Sequence, residues 1–108
     1  MKTLLISGVT LGRGNDDIGT VLMEKFLTLL AQGGAAPQTV FFYNTGVLLT
    51  KEGSPVLPYL QALGARGVRL LACGTCLDFF KMRPAGGIEA STMGTLLELM
   101  GQGGVVAI

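Results

Sequence analysis

The chain has 108 residues, 49% of them apolar and only 14% charged, with eight Lys or Arg against seven Asp or Glu. That length fits one domain, residues 1–108, around one core, and the near-neutral balance offers no basic face or polybasic arm for a nucleic acid. So little charge on so small a chain leaves apolar surface exposed unless a partner covers it, and a homo-oligomer is expected.

No apolar run approaches the roughly 20 residues of a membrane-spanning helix, so no membrane association is expected. The opening "MKTLLISGVTLGRG" has an apolar stretch of only about six residues, short of the roughly 7–15 of a secretory signal core. It reads as a first buried strand, Lys2–Gly8, and the expected location is cytoplasmic. A Gly-rich loop runs on to Asn15, with Asp16 or Asp17 placed to cap a helix. Ile18, Val21, Leu22, Phe26, Leu29 and Leu30 then recur at helical spacing as its apolar stripe, and Gly33-Gly34 ends it.

Gln38–Asn44, "QTVFFYN", is a second strand, rich in β-branched and aromatic residues. After a loop with room for a helical turn, Ser54 and Pro55 start a second helix. Val56, Leu57, Leu60 and Leu63 form its buried face, and Gly67 its stop. "VRLLAC" is the third strand, and "LDFFKM" a short helix broken by Pro84 and Gly86-Gly87. Ser91 caps a last helix carrying Met93, Leu96, Leu97 and Met100, and "VVAI" (Val105–Ile108) closes the chain as a strand. Strands alternating with helices across short loops predict a parallel sheet covered on both faces.

Such sheets bind ligands at the carboxyl ends of their strands, where the loops Gly8–Asn15, Asn44–Gly46, Cys73–Cys76 and Glu89–Ser91 converge. "GVTLGRGN" lacks the Gly-Lys-Ser/Thr end of a P-loop. Its glycines miss the dinucleotide spacing, and the second strand ends in Asn44 rather than a ribose-binding acid. The chemistry must come from elsewhere. The only two cysteines, Cys73 and Cys76, lie in "VRLLACGTCLDFF" at a strand-to-helix junction, and the small Gly74 and Thr75 leave the loop open to a reactant. Free N–H groups of the helix's first turn favour a thiolate there, and a thiolate attacks sulfane sulfur, carries a persulfide or exchanges with a disulfide. Two thiols without any His make neither a closed zinc site nor a Cys–His hydrolase, so no metal and no cofactor are expected.

The stretches "GRGNDDIGTVLMEKFL" (12–27), "FFYNTGVLLTKEGSPVLPYLQAL" (41–63) and "LLACGTCLDFF" (70–80) resemble the DsrE/DsrF-like superfamily, most closely the C-terminal domain of its YedF group. Those are sulfurtransferase-like proteins linked to selenium metabolism. The resemblance implies an α/β three-layer sandwich with a mainly parallel five-stranded sheet, assembly through family-type subunit contacts, and a sulfur-carrier protein as partner. The carrier domain that often precedes this one in the group is missing here, so a fused donor is not expected. Carried over, Cys73 is the persulfide-bearing position, Cys76 the second cysteine, and Asn44 with Gly46 the group's Asn-x-Gly. Near the end, "GIEASTM" keeps Glu89 and Met93, while Ile88 and Thr92 replace the group's Gly and Asn.

The expected function is to carry sulfane sulfur or selenium as a persulfide-type adduct on the CxxC. The alternatives are a non-catalytic binding module for a partner sulfurtransferase and a thiol–disulfide exchange protein. Arg13, Asn44, Gly46, Gly74 and Thr75 are the candidate substrate contacts, with Arg13 placed to attract an anionic donor if its loop folds over the thiols. Asp78 reads as solvated, Phe79 and Phe80 as core or subunit interface, and Met93 and Met100 as packing.

Overall fold

The computed structural model describes residues 1–108. The strands are β1 (Thr3–Ile6), β2 (Thr39–Phe42), β3 (Arg69–Cys73), β4 (Glu89–Ser91) and β5 (Val105–Ala107). Between them lie helices α1 (Asp16–Gln32), α2 (Leu57–Ala65), α3 (Gly74–Phe79) and α4 (Met93–Gly101), and a 3-10 segment, Asn44–Thr50, follows β2. The five strands form one sheet in the order β4-β3-β2-β1-β5, with every ladder parallel.

Thr3–Ile6, Thr39–Phe42 and Leu70–Cys73 are buried at every position. This is the continuous apolar pattern of a sheet covered on both faces, without the alternation of a half-exposed one. α1 and α2 pack against each other, and the β1-β2-β3 progression runs toward one edge. The β4-α4-β5 connection runs back across the whole sheet, so right-handed crossovers place α4 on the opposite face. The result is the three-layer α/β sandwich, around a core that includes Phe41, Phe42, Leu4, Leu60 and Leu71.

Local chemistry accounts for the boundaries and for several departures from the sequence reading. Asn15, not Asp16 or Asp17, caps α1, its Oδ1 accepting from the Ile18 N–H at 3.1 Å. The two aspartates occupy the first turn, where the helix's free N–H groups favour negative charge. α2 starts at Leu57, after a turn in which the Leu57 N–H reaches the Ser54 carbonyl at 3.1 Å, and its buried face is the expected Leu57, Leu60 and Leu63. Thr92 rather than Ser91 caps α4, its hydroxyl accepting from the Thr95 N–H at 3.1 Å. Ser91 is instead the last residue of β4, where the sequence indicated a loop.

Two helices are rotated from the expected orientation. α1 buries Gly19, Met23 and Leu27, while Ile18 (52%), Val21 (46%), Leu22 (40%) and Leu29 (67%) are exposed. Gly19 supplies the reason: a Cβ there would stand 2.7 Å from Thr10 Cβ, so the helix meets the Gly-rich loop through its one side-chain-free position. α4 likewise turns Leu96 and Leu99 inward and leaves Met93, Leu97 and Met100 exposed.

Candidate functional site

β3 and α3 set the site. β3 ends at Cys73, which pairs in register with Ser91 of β4 and has 1% of its surface exposed. The chain enters α3 at once through Gly74, where a Cβ would sit 3.1 Å from the Ser91 carbonyl oxygen. One turn of helix lifts Cys76 out of the core, so that it is partly exposed. The two cysteines therefore differ in depth. Cys73, expected to be the reactive one, is the inner thiol, and Cys76 faces the opening.

Cys76 lines a cavity of about 310 Å³ together with Tyr43, Asn44, Thr75, Phe79 and Phe80. Its Sγ accepts a hydrogen bond from the Asn44 N–H at 3.1 Å. Asn44 presents that N–H because it opens the 3-10 segment with φ +52°, a left-handed conformation that asparagine tolerates better than most residues. Its side chain braces the same turn, Oδ1 accepting from the Thr45 N–H at 2.8 Å. Asn44 thus acts on the thiol through its backbone.

Burial pushes the Cys76 thiol above its ordinary value of 9.0, and the hydrogen bond and charge of neighbouring Cys73 push the same way. The Asn44 N–H opposes them without prevailing. Desolvation disfavours the charged form more than one N–H stabilises it, so Cys76 stands as a thiol at neutral pH. The start of α3 therefore does not make Cys76 the acidic thiol expected from the sequence, since burial and Cys73 together outweigh the Asn44 N–H.

The other candidates fall into three places. Thr75 lines the cleft, and Gly74 sits beneath it at the strand end. Gly46 is buried, and a Cβ on it would collide with the Ile6 carbonyl oxygen, so this glycine lets the 3-10 segment lie against the end of β1. Arg13 is exposed and lines a separate cavity of about 580 Å³ with Ser7, Gly8, Thr10, Gly12, Ala107 and Ile108. Tyr43 and Asn44 border both spaces, so they form the wall between Arg13 and the thiol. Of the residues now lining the cleft, Tyr43, Phe79 and Phe80 were not assigned to it from the sequence. Phe79 and Phe80 follow Cys76 by three and four positions, the spacing that puts helical neighbours on one face.

An all-parallel α/β domain with a paired-thiol site at the carboxyl edge of its sheet defines the class. The chain belongs to the DsrE/DsrF-like family, whose sequence profile matches residues 12–106. Among solved structures it is similar to the ychN protein from E. coli, with 17% identity, a TM-score of 0.73, and coverage of 99% of this chain and 98% of that one. It is also similar to MTH1491, a protein of unknown function from Methanobacterium thermoautotrophicum, with 19% identity, a TM-score of 0.71, and coverage of 98% and 96%. At such identities the likeness carries the fold. No curated protein matches it in sequence. Family membership points to a sulfur-relay-related role. No helix is long and apolar enough to cross a membrane.

Proposed function

We propose that this chain carries sulfane sulfur, or selenium in its place, as a persulfide-type adduct on Cys76, with Cys73 as the resolving thiol. The roles are exchanged relative to the family-based expectation, and the observation that carries the exchange is depth: Cys76 borders an open cleft while Cys73 is 1% exposed. In the first step the Cys76 thiolate attacks the outer sulfur of a donor R–S–SH. The Cys76–sulfur bond forms, the donor's S–S bond breaks, and R–S⁻ departs with the electron pair. The thiolate is a minor species at neutral pH, but a basic thiolate is intrinsically the stronger nucleophile. An acceptor thiolate then takes the outer sulfur and regenerates Cys76. Without an acceptor, Cys73 attacks the inner sulfur, closing a Cys73–Cys76 disulfide and expelling HS⁻. The protein works as a homo-oligomer in the cytoplasm, its exposed helix flanks providing contact surface, and exchanges sulfur with a carrier protein.

Intact-mass analysis after incubation with a persulfide donor tests this. Cys73→Ala, which cannot resolve the adduct, is expected to gain the mass of one sulfur atom, mapped to Cys76, the wild type to lose two hydrogens as the disulfide closes, and Cys76→Ala to gain nothing. An adduct on Cys73 in Cys76→Ala, equal to that on Cys76 in Cys73→Ala, would overturn the assignment. Thiol–disulfide exchange is the second reading, favoured by two free thiols held within one turn at the start of α3. It requires the disulfide to equilibrate with glutathione at cytosolic potentials.

A further inference from the structure

The wall of the Cys76 cleft carries information that the thiol alone does not. Tyr43, Phe79 and Phe80 supply three aromatic surfaces, Asn44 and Thr75 are uncharged, and no charged residue lines the space. Phe79 is 78% exposed, an unusual position for a phenyl ring on a protein surface. Its ring stands edge-to-face on Phe80, with centroids 5.2 Å apart and planes at 90°. The Asn44 N–H and Oδ1 are already committed, to Cys76 Sγ and to the Thr45 N–H. An oxyanion entering here would meet only neutral donors, such as the Asn44 side-chain amide and the Thr75 hydroxyl, and no cation, since Arg13 opens into the neighbouring cavity beyond the Tyr43–Asn44 wall.

From this geometry we infer that the cleft selects sulfur carried on an uncharged, apolar organic group, and rejects oxyanion donors of the thiosulfate class. The occupant is a small aliphatic or aromatic persulfide whose hydrocarbon lies against Phe79 and Tyr43 while its outer sulfur meets Cys76. A cavity of about 310 Å³ has room for a group of benzyl size. The transfer balances as written above: the donor's S–S bond breaks, the Cys76–S bond forms, and the carrier leaves as an apolar thiolate. The inference rests on the sulfur-transfer reading for its chemistry, but not for its selectivity.

Alkylation kinetics separate the two. Cys76 in the full chain is treated with N-benzyl iodoacetamide, iodoacetamide and iodoacetate, and each rate is divided by that of a free cysteine peptide. The benzyl reagent is expected to gain about tenfold over iodoacetamide, the discrimination that about 55 Å² of apolar burial provides at about 25 cal/mol per Å². Iodoacetate is expected to fall below iodoacetamide. Phe79→Ser, which removes an exposed ring and leaves the core intact, should bring the benzyl gain below about threefold. Equal normalised rates, or a preference for iodoacetate, overturn the selectivity. So does a wild-type Cys76 that resists every reagent and becomes reactive in Phe79→Ser as the assembly dissociates, because the cleft is then a subunit contact. If the benzyl preference holds but neither benzyl persulfide nor thiosulfate loads sulfur, the sulfur-transfer reading fails and the apolar cleft stands.

Discussion

Replacing Gly46 with alanine should damage both the fold and the thiol site, and the structure allows the cost to be bounded. The added Cβ would overlap the Ile6 carbonyl oxygen and lie 3.1 Å from the Ile6 carbonyl carbon and 3.2 Å from the Gly8 nitrogen. All three are backbone atoms at the end of a central strand, so no rotamer change relieves the clash. The 3-10 segment has to move away from β1. Overpacking of this kind costs about 2–3 kcal/mol, a large share of the roughly 5–15 kcal/mol that holds a small domain together. In urea unfolding the midpoint should drop by roughly 1–2 M with an unchanged slope, and Tm by roughly 10–20 °C. Gly86→Ala is the control: a Cβ there meets nothing within 4 Å, and stability should change by less than about 0.5 kcal/mol. Moving the segment also pulls the Asn44 N–H from Cys76 Sγ, removing the one influence that makes the thiol more acidic. Alkylation of Cys76 at neutral pH should slow in the folded variant. A Gly46→Ala protein within 1 kcal/mol of wild type, with unaltered Cys76 reactivity, would refute this account of the β1 contact.

The pH dependence of Cys76 has a definite sign. Its alkylation rate should rise through an apparent pKa above 9.0, and a midpoint below that value would contradict the dominance of burial. Because the folded state holds the thiol proton more tightly than the unfolded chain does, the stabilisation is complete below the thiol's ordinary value of 9.0. It is lost as pH rises through the higher folded value, so the urea midpoint should decline across that alkaline window. Cys73→Ser places a hydroxyl at a buried strand end and should cost about 1–3 kcal/mol by urea unfolding, whereas Cys76→Ser at the cleft mouth should cost less than 1 kcal/mol. Equal costs would mean that the two positions do not differ in depth.

Those elements whose apolar pattern has one interpretation were legible in the sequence. β1, β2 and β3 are dense runs of apolar residues flanked by turn formers, and α2 places Leu57, Leu60 and Leu63 at a single helical spacing. α1 and α4 carry more apolar residues than one buried face requires. The larger stripe, with Ile18, Val21, Leu22 and Leu29, looked like the core face. The true orientation of α1 is set by Gly19, whose contribution is the absence of a side chain, which hydrophobic periodicity does not register. β4 was missed because Glu-Ala-Ser has neither the length nor the composition of a strand and exists only through its pairing with β3. The cysteine pair was plain from its spacing. Its depth order was not, because Cys73 is covered through a strand partner distant in sequence, while Cys76 is exposed by one turn of helix. Thiol acidity was misjudged for a related reason: the helix start is local and visible, while the apolar surroundings that outweigh it are tertiary.

The short outer strands carry a consequence for how copies of this molecule can meet. β4 and β5 are three residues each, so neither margin offers a neighbouring chain a long row of unpaired amides to zip onto. Contact through Ile18, Leu22, Leu29 or Leu97 would be made side chain to side chain, not by adding strands to the sheet. Fibrils growing by strand addition are the assembly that these short margins disfavour.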